Sequence, residues 1–214
     1  MKKYGIGCAI LGAIGLASLV LVIVAVGGYN RLVKLSQGVD SQWSQVENVY
    51  QRRADLIPNL VATVSGAANF EKSTITEVTA ARASVGQVKL PSGTAPSDPR
   101  QLEQFEAAQG QLSSALSRLL VVAERYPELK ATQNFQNLQA QLEGTENRIS
   151  VERGRFNEAV RSYNTAVRSF PALLYAGMMG FHPKPYFKAV TGAEQPPKVQ
   201  FDFGQPSAPA PEKQ

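Results

Sequence analysis

The chain is poor in the residues that most chemistry needs: 214 residues hold one cysteine, one histidine and one tryptophan, and charged residues make up only 18%. Each shortage closes a class. Cys8 alone cannot make an intrachain disulfide, and with only His182 beside it no cysteine/histidine zinc set can assemble. A nucleophile and base couple would have to be built on His182, which lies between Phe181 and Pro183 and reads as a solvated loop residue. GxSxG, Ser-x-x-Lys, HExxH and phosphate-cradling glycine motifs are all missing. Carboxylate pairs such as Glu143 with Glu146 fall on a helical pattern, where a solvated face is the ordinary reading. No catalytic residue, cofactor or metal is expected.

Acidic residues are absent from the first 34 positions, which carry Lys2, Lys3, Arg31 and Lys34. The formal charge of +5 is therefore concentrated at one end, and residues 35–214 hold 18 basic against 17 acidic groups. That placement removes a nucleic-acid partner, which would need a basic face on the body. Between the basic pairs, residues 5–28 contain no charge at all, and about 20 apolar residues suffice to cross a bilayer as a helix. The stretch exceeds the 7–15 residues of a signal-peptide core and is expected to remain as an anchor; cleavage after Ala25-Val26-Gly27 is the alternative. Gly5, Ala9, Ala13 and Ala17 recur at i, i+4 and form a candidate packing stripe for self-association in lipid. The basic residues on either side nearly balance. The short basic N-tail favours an N-in anchor in the bacterial cytoplasmic membrane with the body outside the cytoplasm.

After the span the body reads as long helices. Leu32, Val39 and Val46, with Trp43, Tyr50 and Ile57, alternate at three and four residues, the spacing of a continuous packing seam. Pro58 removes a backbone donor and crowds the preceding turn, so a kink or break is expected there. The seam resumes at Val61, Val64, Ala68, Ile75, Val78 and Val85. Residues 86–100, with three prolines and two glycines, read as a loop that ends on the start signal Asp98-Pro99. A third apolar series runs from Leu102 to Tyr126, before a turn at Pro127. Phe135, Leu142, Ile149, Phe156, Tyr163 and Phe170 then fall at strict seven-residue intervals, with Leu138, Thr145, Glu152, Ala159 and Ala166 on the partner row. A helix over 132–170 would be roughly 58 Å long, which suits an elongated antiparallel bundle. Residues 172–181 read as a short helix capping the bundle, with membrane or partner contact as the alternative. The Pro-rich residues 191–214 read as disordered. The chain thus divides into a basic tail and span at 1–28, a helical domain at 29–190 and a tail at 191–214.

Several runs carry a family resemblance. Tyr50-Gln51-Arg52-Arg53-Ala54-Asp55-Leu56-Ile57-Pro58-Asn59-Leu60-Val61, then Glu124-Arg125-Tyr126-Pro127-Glu128-Leu129-Lys130, then Thr145-Glu146-Asn147-Arg148-Ile149, Arg155-Phe156-Asn157 and Tyr163-Asn164 together resemble the bacterial LemA family over roughly residues 1–190. The resemblance implies one N-terminal membrane segment and an elongated antiparallel bundle of about four helices. It does not imply a catalytic activity. Phe156 departs from the pattern, where similar sequences tend to carry tyrosine.

Two polar groups are candidates for partner binding. Arg52, Arg53 and Asp55 flank the proline, where arginines could satisfy carbonyls freed by the break; the cluster is expected to fix the kink and pair across the bundle, with partner binding as the alternative. Arg148, Arg155, Arg161 and Arg168 lie on the last long helix, which could meet an acidic protein or anionic lipid unless Glu124, Glu128, Glu143 and Glu146 neutralise it. Asn157 and Asn164, one heptad apart, are expected to set helix register. The expected function is a membrane-anchored helical scaffold of the bacterial envelope, not an enzyme, that contacts another envelope protein and is capable of homo-oligomerising. A membrane-shaping or anionic-lipid-binding protein, or an envelope enzyme of unrecognised type, are the alternatives.

Overall fold

The computed structural model describes residues 2–67, 70–88 and 90–188, with side chains from Gly12 onward. The expected disorder of 191–214, seam position Ala68 and the side chains of Gly5 and Ala9 lie outside the described residues. All elements among those described are helical: α1 Lys2–Ser65, α2 Lys72–Gln87, α3 Pro99–Ala123, α4 Pro127–Lys130 and α5 Gln133–Arg168, then two 3-10 turns, Ala172–Leu174 and Gly177–Met179. The expected all-α antiparallel bundle is what forms.

The apolar stretch and the first bundle helix are a single element. α1 runs uninterrupted for 64 residues, about 96 Å at 1.5 Å per residue. Its most apolar 18-residue window has mean hydropathy 2.2 and none of it is buried, which separates it from a core helix. From Leu32 onward the exposure pattern changes. Leu32, Val39, Val46 and Leu60, with Trp43, Tyr50, Ile57 and Val64, are buried along one seam. Side chains of this size contribute about 1.5–3 kcal/mol each on full burial.

The expected break at Pro58 does not occur, because the helix continues to Ser65. A proline at 58 leaves the carbonyl of Ala54 without its i+4 donor. Arg82 of α2 supplies one, its Nε donating to Ala54 O at 3.1 Å. The chain reverses instead after Ser65-Gly66, and α2 returns antiparallel to α1. At the next junction Asp98 Oδ1 accepts from Arg100 N at 2.9 Å, with Pro99 at the first helical position, as the start signal predicts.

α5 begins at Gln133, with Thr132 Oγ1 accepting from Phe135 N, and ends at Arg168, two residues short of the expected end. Its seam also drifts. Phe135, Leu138, Leu142, Thr145 and Ile149 are buried in the expected rows, but towards the other end Val160 and Val167 are buried while Ala159 is only partly so. An α-helix turns 3.6 residues, not 3.5, so a straight helix rotates about 20° per heptad and the buried row moves one position on.

The core has two parts. Beyond the middle of the rod, Ile57, Leu60 and Val64 pack with Val78, Leu112, Leu119 and Phe135. Nearer the apolar span, Trp43 is the hub, with ring centroids 5.5 Å from Phe105, 5.5 Å from Phe156 and 6.0 Å from Phe187. Residues 170–181 close that end: Ala172 and Ala176 are buried beside Leu32, as 3-10 turns where a short helix was expected.

Candidate functional site

The polar residues of the bundle concentrate at mid-height. Arg53 continues the row Leu32, Val39, Val46 by one more heptad, so its guanidinium lies inside the seam, 1% exposed. A buried charge costs several kcal/mol unless it is paired and its donors are met. Arg53 Nη1 donates to Glu146 Oε1 at 2.5 Å and to Ser113 Oγ at 2.7 Å, and Nη2 donates to Gln109 Oε1 and to Gln109 O at 3.4 Å. Nε has no acceptor, and the guanidinium lies 5.1 Å from the centroid of the Tyr50 ring. Helices α1, α3 and α5 are thus tied at one height by one side chain. Glu146 is 44% exposed, so the pair is buried only at its cationic end.

A second tie stands next to it. Arg153 Nη2 donates to Glu106 Oε1 at 2.8 Å and to Lys188 O at 2.9 Å, and its guanidinium sits 4.6 Å from the Phe187 ring centroid. Burial raises the Glu106 carboxyl above its ordinary value, and the Arg153 cation opposes that rise without cancelling it. Burial likewise raises the Tyr50 phenol. The two ties border a cleft of about 610 Å³. Its ion pairs, with the Ser113 hydroxyl that accepts from Arg53, join α1, α3 and α5. Among the described residues no cluster of His, Cys, Asp or Glu is suited to a metal.

The asparagines do more than set register. Asn157 Nδ2 donates to Phe187 O at 3.0 Å and its Oδ1 accepts from Phe187 N at 2.9 Å. Asn164 does the same with Lys184, at 2.8 Å in both directions. Seven residues of helix rise about 10.5 Å and three residues of extended chain span about 10 Å. Two amides one heptad apart therefore match the backbone of residues 184–187 and clamp the returning chain against α5. Lys184 Nζ completes the clamp on Asp40 Oδ1 at 2.7 Å.

The other candidates do not converge. Arg52 and Asp55 are exposed, Asp55 accepting from Gln51 Nε2 at 2.8 Å, while Arg53 points inward. Arg155 pairs with Glu152 at 2.8 Å and Arg161 with Glu158 at 3.3 Å, within the same helix. Of the acids expected to neutralise these arginines, Glu143 and Glu146 lie on α5 itself rather than on a neighbouring segment; Glu146 serves Arg53 and Glu124 serves Lys130. Arg148 is exposed on a shallow groove between α1 and α5 that Val49 and Val151 also line. Arg168 is exposed in the last turn of α5, and Ala13 and Ala17 are exposed on the apolar stretch of α1.

Residues 42–201 match the LemA family. The chain belongs to the LemA family. Proteins named magnetosome protein MamQ 1 and MamQ 2 of Paramagnetospirillum magneticum are each 26% identical over 184 residues, covering 78% of this chain and 67% of theirs. Magnetosome protein MamQ of Magnetospirillum gryphiswaldense is 26% identical over 200 residues, covering 86% of this chain and 74% of its own. Protein LemA of Metamycoplasma hominis is 24% identical over 156 residues, covering 73% and 64%. In this LemA family chain the motif arginine Arg53 and motif glutamate Glu146 are the two ends of the central ion pair. The motif asparagines Asn157 and Asn164 are the clamp. The matched region therefore contains the ties between helices, and it starts beyond the apolar stretch.

Proposed function

We propose that the protein is a single-pass, membrane-anchored helical scaffold that acts through protein contacts in the bacterial envelope and carries no catalytic step. One observation carries this reading: α1 is a single helix from the apolar stretch through the whole bundle. A bundle joined to its span by a continuous helix is held at a set angle and height above the bilayer, which a docking platform needs and a freely tethered enzyme does not. The same continuity supports retention of the segment, because cleavage after Gly27 would cut α1 at Gly28, where Tyr175 packs. Membership of the LemA family, with relatives named as magnetosome proteins, supports a membrane role.

The contact face we assign is the α1–α5 groove, where Arg148 and Val151 lie exposed beside Arg155, since Arg53 is engaged inside the bundle and Arg155 and Arg161 are paired along α5. Photo-crosslinking from position 151 in intact membranes should trap a defined adduct that Arg148→Glu abolishes. Equal crosslinking in the variant would rule out this face, and substrate turnover by the purified protein that one point substitution abolishes would overturn the scaffold reading. A C-terminal reporter fusion fixes the topology, for which the body outside the cytoplasm is the proposed outcome.

A further inference from the structure

The end of the bundle that meets the span carries five large apolar side chains in ten residues with nothing over them. Phe170, Leu173, Leu174, Met178 and Met179 are between 46% and 88% exposed. Their backbone is well held, since Ala172 and Ala176 are in the core beside Leu32. The Tyr175 ring packs so closely on α1 that its hydroxyl would lie 1.9 Å from a Cβ at Gly28, and Phe181 meets Tyr29 edge-on at 5.5 Å. These contacts place the segment at the level of Gly28 to Leu32, the turn that starts at the last residue of the charge-free stretch. Large apolar side chains exposed this densely along ten residues mark a contact surface.

Its charge surroundings choose the contact. Residues 170–188 contain no acidic side chain, and Arg31 and Lys34 on the adjoining stretch of α1 and Arg168 at the end of α5 are exposed. Apolar and aromatic side chains with a cationic rim, at the height where a span leaves the bilayer, fit the headgroup boundary of an anionic membrane. We infer that the 170–179 knuckle is a second membrane contact: it inserts its apolar side chains into the surface of the same bilayer that α1 crosses, with Arg31, Lys34 and Arg168 on the phosphates. Two contacts, one through the bilayer and one on it, fix the tilt of the rod and its rotation about α1. The inference rests on α1 as a span and is independent of the proposed contact face at Arg148.

The test uses the full chain with Cys8→Ser and one introduced cysteine, labelled with an environment-sensitive fluorophore and reconstituted in phosphatidylcholine/phosphatidylglycerol vesicles with or without nitroxide-bearing lipids. Leu174→Cys and Met178→Cys should be blue-shifted and quenched, as Val20→Cys in the span should be. Val121→Cys, exposed near the far end of α3, should be neither. Labels at 174 and 178 that stay as unquenched as 121, while 20 is quenched, overturn the knuckle contact and leave the anchor standing. A blue shift at 178 without nitroxide quenching means that protein covers the patch, which also overturns it. If position 20 escapes quenching as well, the span reading falls and the inference with it.

Discussion

The asymmetry of the Arg53–Glu146 pair makes an unequal prediction for its two ends. The guanidinium is buried and the carboxylate is 44% exposed. Breaking a fully buried pair by removing one partner costs about 3–5 kcal/mol, because the survivor is left charged and dry. Glu146→Ala leaves that survivor, Arg53, in the seam, with only Ser113 and Gln109 as acceptors. Discounted for the solvent that reaches Glu146, the expected cost is about 2–3 kcal/mol. Arg53→Met leaves a carboxylate that can turn into water, and puts an apolar side chain of similar length on the row of Val46 and Leu60. Its expected cost is about 0–1.5 kcal/mol, largely from the unpaired Gln109 amide. Adding Arg53→Met to Glu146→Ala should therefore restore stability. The single tryptophan, Trp43, is fully buried beside this network and reports unfolding by its fluorescence. At about 2–4 °C per kcal/mol for a domain of this size, the midpoint should fall by about 4–12 °C for Glu146→Ala. The Arg53→Met shift should be smaller, about 0–6 °C. A larger loss for Arg53→Met, or a double variant less stable than Glu146→Ala alone, would refute the argument that the dry charge dominates.

Three further outcomes follow from single contacts. Asn157→Ala or Asn164→Ala removes two hydrogen bonds from the returning chain, about 1–3 kcal/mol each way of counting; faster amide exchange at Phe187 and Lys184 respectively should report it, and unchanged exchange at both would deny the clamp. Arg82→Ala orphans the Ala54 carbonyl and should cost about 0.5–1 kcal/mol, but almost nothing in a Pro58→Ala background, where the helix supplies its own donor; equal costs in both backgrounds would disprove the compensation. Burial raises the Glu106 carboxyl in the folded state, so the fold holds that proton more tightly than the unfolded chain does. The resulting stability is fully present below the unfolded value and is lost as pH rises through the raised one. Wild type should gain on Glu106→Gln as pH is lowered across that window, and a gap that stays constant contradicts the sign.

Most of the fold could be read from spacing. The heptads of α1 and α5, the Asp98-Pro99 start and the turn before Pro127 all depend on contacts within a few residues, which sequence periodicity reports directly. Pro58 is legible only in part for the opposite reason. The missing donor is a local fact, and its replacement comes from Arg82 on α2, 28 residues from Ala54. Arg53 was legible in part: the row 32, 39, 46 leads to 53, and a charge at a seam position requires an acid across the bundle. Choosing Glu146 as that acid needs the register of α1 against α5, 93 residues apart.

The clamp shows where periodicity stops being informative. Asn157 and Asn164 look like register residues because their spacing is that of a coiled-coil seam, and a seam polar residue ordinarily faces another helix. Here the facing element is an extended segment, residues 184–187, and the heptad spacing fits it only because three extended residues cover nearly the same length as two helical turns. The same spacing thus serves two partners that sequence alone cannot distinguish. What decides between them is that α2 and α3 meet at a loop held on α1 by Glu47 and Asp40, to Gly93 N and Ala95 N at 3.0 Å each. At that height and towards the apolar stretch the returning chain lies on α5 and supplies the backbone donors and acceptors that the two asparagines meet, together with the Phe187 ring. The end of the bundle nearest the span is accordingly closed by residues 170–188, which makes that segment the part of the protein whose loss should expose Trp43 first.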